Sequence, residues 1–182
     1  METYLLDTNI ISDLADAESY NHPACMARLQ AAVRAGDHIL LPVMGIAEIE
    51  FGLQIGGRPE SAQAKELREF LSGYKHIVFD DNSIESYAPI RAKLFELYGN
   101  RKGKRKGFKE KTPEELKDRV TGKELGIDER DLLIASTAVQ YNSVFVTDDS
   151  NEGMRRIREA ADLLAVQGRP TQLRVENWRR TV

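Results

Sequence analysis

The chain has 182 residues, of which 41% are hydrophobic and 30% charged, with a formal net charge of −3 and one cysteine, Cys25. This is enough for one domain with a full core and short for two, and the composition is that of a globular protein. It excludes an intrachain disulfide, and no apolar run approaches the roughly 20 residues of a membrane helix. The opening Met1-Glu2-Thr3-Tyr4-Leu5-Leu6-Asp7 has no basic segment, long apolar stretch or small-residue cleavage site, so a cytoplasmic location is expected.

Short apolar strands at 3–6, 38–41, 76–79, 143–147 and 172–175 alternate with helical patterns, the signature of parallel βαβ units. The first and fourth are apolar throughout, as expected of strands covered on both faces. Thr8 or Asn9 is expected to cap a helix running to about Ala17, and Pro23 to open another that stops near Gly36. A third helical pattern covers 43–55 until Gly56-Gly57 breaks it, and Pro59 then opens a helix to about Ser72. Asp81 to Tyr98 is amphipathic, with Pro89 expected to kink it or mark a restart. Thr112-Pro113-Glu114-Glu115 resembles a short helix start with a capping box, and further helices are expected at 128–141 and 150–165. The reading is an α/β fold: a three-layer α/β/α sandwich on a central, mainly parallel sheet, one domain over 1–182 with an insertion at about 100–124.

Net charge conceals a division. Residues 100–111 hold seven basic side chains, Arg101, Lys102, Lys104, Arg105, Lys106, Lys109 and Lys111, against Glu110 alone. That segment is +6, while the remaining chain carries −9. An acidic body with one basic segment suits a phosphate backbone that must approach an acidic centre, with Arg101, Lys102, Lys104, Arg105 and Lys106 as backbone contacts. A solvated insertion rich in glycine explains the same residues.

Four acidic residues mark the ends of apolar segments. Asp7 closes Tyr4-Leu5-Leu6, Glu48 interrupts the helix pattern of 43–49, Asp131 opens Leu132-Leu133-Ile134-Ala135, and Asp149 follows Val144-Phe145-Val146-Thr147-Asp148. A carboxylate at the edge of a core is costly to desolvate unless a cation or hydrogen-bond donors compensate it. In parallel sheets ligands bind beyond the carboxyl ends of the strands, where Asp7 and Asp149 project. Oxygen-only ligation selects Mg²⁺ or Mn²⁺, and the spacing of His22, His38 and His76 suggests no zinc site. Each acid also has an ordinary structural role open to it: Asp131 or Asp149 as a helix cap, Asp7 bonded to the next turn, Glu48 paired with an arginine. Thr8, Thr147, Asp148 and Asp128 are secondary candidates beside them.

The segments Tyr4-Leu5-Leu6-Asp7-Thr8-Asn9-Ile10-Ile11-Ser12, Ile46-Ala47-Glu48-Ile49-Glu50-Phe51-Gly52, Asp131-Leu132-Leu133-Ile134-Ala135-Ser136-Thr137-Ala138 and Val146-Thr147-Asp148-Asp149 resemble those of PIN-domain ribonucleases. The similarity is greatest to VapC-type toxins of bacterial toxin–antitoxin pairs, and covers nearly the whole chain apart from about 100–124. The resemblance implies a metal-dependent endoribonuclease in which Asp7, Glu48, Asp131 and Asp149 bind Mg²⁺ or Mn²⁺, with Asp148 the neighbour of the fourth position. It also implies a cognate antitoxin and a homodimer. The chain departs from the pattern in its length, its long basic insertion, and Arg130 standing where a small polar residue is common.

Other readings remain open at this level. A housekeeping RNA-processing nuclease would carry the same motifs, as would a PIN-like fold kept as a binding module. A phosphatase of the haloacid dehalogenase type also places an Asp after its first strand, but it needs a second Asp where Asn9 stands.

Overall fold

A computed structural model describes residues 1–102, 107–148 and 152–179. Among the described residues five strands form one sheet, β1 (Thr3–Leu6), β2 (His38–Pro42), β3 (Lys75–Ile77), β4 (Val144–Val146) and β5 (Arg174–Glu176), in the order β3-β2-β1-β4-β5. Every neighbouring pair is parallel, with Leu5 opposite both Leu40 and Phe145. The sheet is therefore wholly parallel, and the chain leaves β1 towards β2 on one side and returns to β4 on the other. That reversal opens a crevice at the carboxyl ends of β1 and β4.

Among the described residues the helices are α1 (Thr8–Ala15), α2 (His22–Arg34), α3 (Val43–Ile55), α4 (Ala62–Ser72), α5 (Ile84–Tyr98), α6 (Glu129–Gln140) and α7 (Glu152–Val166), with a 3₁₀ turn at Pro113–Glu115. The chain divides into two compact units. The sheet unit comprises residues 1–78, 142–148 and 174–182, and the helical unit residues 79–141 and 149–173.

The core of the sheet unit joins Leu6 and Val146 from the strands to Ile10, Ile11 and Leu14 of α1, Cys25 and Leu29 of α2, and Trp178. Burial of Cys25 pushes its thiol up to about 11, so it behaves as a small core residue. In the helical unit α5 packs on both α6 and α7, burying Ile90, Leu94, Leu132, Ala135 and Ile157. No described helix is long and apolar enough to cross a membrane.

Several boundaries differ from the sequence reading. Neither Thr8 nor Asn9 caps α1: Asp7 does, because its extended backbone lets its carboxylate accept the Thr8 N–H. The edge strands are shifted from the expected runs: β3 ends at Ile77 although Val78 and Phe79 continue the apolar pattern, and β5 begins at Arg174 rather than at 172. Pro59 does not open α4, whose cap is Ser61, accepting from the Ala64 N–H at 3.1 Å. Helix α5 runs through Pro89 without a restart. Pro89 lies in the second turn, so the missing N–H costs one bond, to the carbonyl of Glu85. The expected capping box at Thr112 does not form; the turn is 3₁₀, and Glu115 instead accepts the Lys111 N–H at 2.7 Å. Helix α3 buries Gly45 and leaves Phe51 and Ile55 well exposed, at 65% and 71%.

The insertion is built from paired segments. Arg101 and Phe108 form an antiparallel bridge, and the Glu110 carboxylate accepts from both the backbone and the side chain of Asn100. Phe108 packs edge-on against Phe95 of α5 at 5.6 Å, where Gly99 leaves room: a Cβ there would meet Phe108 at 2.6 Å. A second bridge, Lys117 to Glu124, follows, with Leu116 and Leu125 buried beside it. Lys104, Arg105 and Lys106 lie outside the described residues.

Candidate active site

At the crevice between β1 and β4, Asp7 is 7% exposed and is the first residue beyond β1. Its backbone N–H extends the sheet by donating to the Val146 carbonyl at 2.9 Å. Its Oδ1 accepts the Thr8 N–H at 2.7 Å, as the cap of α1. Its Oδ2 accepts from the Thr147 hydroxyl at 2.7 Å and from Asn9 Nδ2 at 2.8 Å. Asn9 Nδ2 also reaches Thr147 Oγ1, at 3.3 Å, closing a ring of three side chains. These donors are neutral, so they orient the carboxylate without cancelling its charge, and the amino-terminal end of α1 adds favourable potential.

Glu48 joins through Thr8, whose hydroxyl donates to Oε2 at 2.7 Å. One residue therefore serves two acids, its backbone N–H on Asp7 and its hydroxyl on Glu48. The close approach depends on Gly45, one turn before Glu48 on α3. A Cβ at that position would lie 2.8 Å from Thr8 Oγ1 and 3.3 Å from Pro42 Cγ.

Asp148 follows Thr147 beyond β4 and turns its carboxylate to the carboxy-terminal segment. Asn177 Nδ2 donates to Oδ1 at 2.5 Å and the Arg179 guanidinium to Oδ2. Its backbone N–H donates to Asn9 Oδ1 at 3.3 Å. Asp149 lies outside the described residues.

Asp131 and Asp128 belong to the helical unit. Asp131 is half-buried in the first turn of α6. The cap of that helix is Asp128, which accepts the Arg130 N–H at 2.7 Å and forms an ion pair with the same side chain, also at 2.7 Å. The arginine holds the Asp128 carboxyl below the usual range, chiefly through this side-chain bond. Glu50 is likewise committed, to a two-pronged pair with Arg68 at 2.7 and 2.8 Å that lowers its pKa. His22 and His76 are bonded to the carbonyls of Asp13 and Leu71.

The all-oxygen character of Asp7, Glu48 and their hydroxyl neighbours fits a hard divalent cation. Among the described residues no three histidine, cysteine, aspartate or glutamate side chains gather closely enough to enclose a metal. Asn9, Gly45, Asn177 and Arg179 are not among the site residues expected from the sequence. Asn9 follows two residues after a strand-end Asp, a position from which a side chain reaches back to the preceding cap, and that spacing was the available signal. Nothing local marks the other three.

The PIN domain profile matches residues 4–160, so the chain belongs to the PIN domain family, whose fold is a three-layer α/β/α sandwich. Its members are nucleases, hydrolases that generally use divalent metals. This sets aside the haloacid dehalogenase alternative. Among solved structures, VapBC2 of Rickettsia felis bound to a promoter DNA fragment is similar at a TM-score of 0.58 and 22% identity, over 97% of this chain and 98% of that one. FitAcB of Neisseria gonorrhoeae matches at 0.58 and 20% identity, over 98% and 99%. A toxin–antitoxin complex from Klebsiella pneumoniae matches at 0.51 and 15% identity, over 82% and 88%. No curated protein matches the sequence.

Proposed function

We propose that the protein is a Mg²⁺- or Mn²⁺-dependent endoribonuclease that acts as the toxin of a toxin–antitoxin pair. The observation that carries the reading is the network at the crevice, in which Asp7 and Glu48 are oriented through the shared donor Thr8 and Asp7 is braced by Asn9 and Thr147. Asp7 and Glu48 would hold the metal, and the order of the sequence motifs adds Asp131 and Asp149. The ion would supply Lewis-acid activation of water and neutralise charge at the scissile phosphate.

The chain's own residues would do the rest. Asp7, with both oxygens engaged by backbone, amide and hydroxyl donors, keeps one orientation. Thr147 and Thr8 hold the two carboxylates in place, each donating its hydroxyl proton to one of them. Arg101 and Lys102 of the paired insertion, with Lys104, Arg105 and Lys106, would contact the RNA backbone, a role that positions without reading sequence.

Similarity to solved complexes named as toxin–antitoxin or VapBC assemblies supports an antitoxin as partner and a toxin rather than a housekeeping enzyme. A homodimer in a single-domain protein belongs to the same reading. The experiment is cleavage of end-labelled single-stranded RNA by the purified chain with Mg²⁺ or Mn²⁺, with EDTA, and with Glu48→Gln. Metal-dependent internal cleavage that EDTA and the substitution abolish is expected. Cleavage indifferent to both would sink the reading, and absence of metal binding at millimolar concentration would leave a binding module.

A further inference from the structure

The carboxy-terminal segment brings a guanidinium to the edge of the candidate site. Trp178 is 1% exposed and packs edge-on against Tyr4 of β1, with ring centroids 5.3 Å apart, so residues 177–179 are seated firmly. From there Arg179 Nε donates to Asp13 Oδ2 of α1 at 2.5 Å and Nη2 to the Asn9 carbonyl at 3.4 Å, while Nη1 grips Asp148. Asn177 takes the other Asp148 oxygen and accepts the Arg179 backbone N–H at 2.8 Å.

Asp148 is thus held by both carboxylate oxygens, and its backbone N–H fixes Asn9 Oδ1. The amide is planar, so anchoring its oxygen sets where its Nδ2 points, which is at Asp7 Oδ2. A run of hydrogen bonds therefore leads from Arg179 through Asp148 and Asn9 to Asp7. An amide that loses the Asp148 anchor is held only through its Nδ2, on Asp7 and Thr147, and turned over its oxygen would repel the carboxylate it now braces.

We propose that Arg179 is a positioning residue for Asp7: by fixing Asp148 it holds Asn9 in the one orientation that keeps the carboxylate aimed for a metal ion. The inference rests on the metal-dependent reading of the site. Arg179 touches neither substrate nor metal in it. Asp13, only 6% exposed and bonded also by Ser19 at 2.6 Å, gives the guanidinium a second, structural anchor.

The test is Mn²⁺ calorimetry on the full chain, with steady-state RNA cleavage and thermal melts, for wild type, Arg179→Met, Arg179→Lys and Asn177→Ala. Loss of a residue that orients a metal ligand typically weakens metal affinity about 10- to 100-fold. Arg179→Met is expected to do so, lowering kcat at fixed Mn²⁺ with KM for RNA unchanged. Arg179→Lys is expected to restore part of the affinity, and Asn177→Ala to show a smaller loss in the same direction. A lower melting temperature with wild-type Mn²⁺ affinity in Arg179→Met would overturn the proposal and leave a fold clasp for Asp13. Should that variant fail to fold, unchanged affinity in Asn177→Ala would overturn it instead. Wild-type protein that binds no Mn²⁺ at all would overturn the underlying reading, a result distinct from equal binding by wild type and variants.

Discussion

Asp7 and Asp128 hold the same local post, each the cap of a helix that follows an extended residue, and each accepts a backbone N–H at 2.7 Å. They differ in what else they hold. Asp7 is braced by an amide and a hydroxyl, while Asp128 is paired with the Arg130 guanidinium. Neutral donors fix a carboxylate and leave its field intact; a guanidinium fixes it and cancels the field. The comparison teaches that position at a helix start does not make an acid a metal ligand. The charge of its remaining partners decides whether a cation gains by coming near.

The largest expected effect is the test that would break this contrast. Asp7→Asn should reduce Mn²⁺-dependent RNA cleavage by at least about 100-fold, the upper range seen for residues that act only through a ligand. Asparagine caps a helix about as well as aspartate, so stability should change by less than about 1 kcal/mol. Cleavage assays beside urea unfolding check both halves. If Asp128→Asn removes metal affinity as completely as Asp7→Asn, the distinction drawn from their partners is wrong.

Next in size is Gly45→Ala, which sharpens the part played by Thr8. The added methyl would press on Thr8 Oγ1 from 2.8 Å, and overpacking of this kind costs about 1–3 kcal/mol against about 0.5–1 gained from better helix propensity. The net expectation is a modestly destabilised protein whose Thr8–Glu48 bond is stretched, with cleavage down by about 10-fold, as for loss of a ligand's orienting partner. Melting curves and Mn²⁺ titration separate the two effects. Unchanged metal affinity would show that Glu48 does not need Thr8.

Much of this arrangement could be read from the chain. The apolar runs at 3–6 and 143–147 announce central strands because both faces of such strands are buried, and Asp7 is visible as the acid that ends one of them. The edge strand β3 ends two residues before its apolar run does, because apolar character outlasts pairing where Val78 is 53% exposed. The partners of Asp7 were harder. Thr147 lies 140 positions away, and only the β1–β4 pairing makes it a neighbour. Arg179 and Asp148 have no shared local pattern either, since their contact is fixed by the seating of Trp178. Periodicity speaks of which face a residue takes, not of which distant side chain meets it.

A smaller effect concerns the cap of α6. Asp128→Ala should cost about 1 kcal/mol, the usual loss for an aspartate cap, measured by urea unfolding at neutral pH. Arg130→Met leaves the cap in place and removes the ion pair with Asp128, a loss that should contribute a few tenths of a kcal/mol at pH 7, since both partners are partly exposed.

The pH dependence of that last variant tests the sign of the argument. Arg130 holds the Asp128 carboxyl below its ordinary value of 3.8 in the folded state, chiefly by the side-chain hydrogen bond. A depressed folded pKa contributes stability that is present above 3.8 and lost as pH falls through the folded value. The part of the stability gap between wild type and Arg130→Met that comes from this pair should therefore be full at pH 7, begin to close below 3.8, and be lost once Asp128 is protonated in both. It should also shrink in high salt, which screens an exposed ion pair. The Thr8 N–H, the Asn9 amide and the Thr147 hydroxyl on Asp7 carry no charge, and these three hydrogen bonds have no such salt dependence. A gap that widens on acidification would mean that Arg130 stabilises the fold through something other than the Asp128 carboxylate, and the two caps would then no longer be a matched pair.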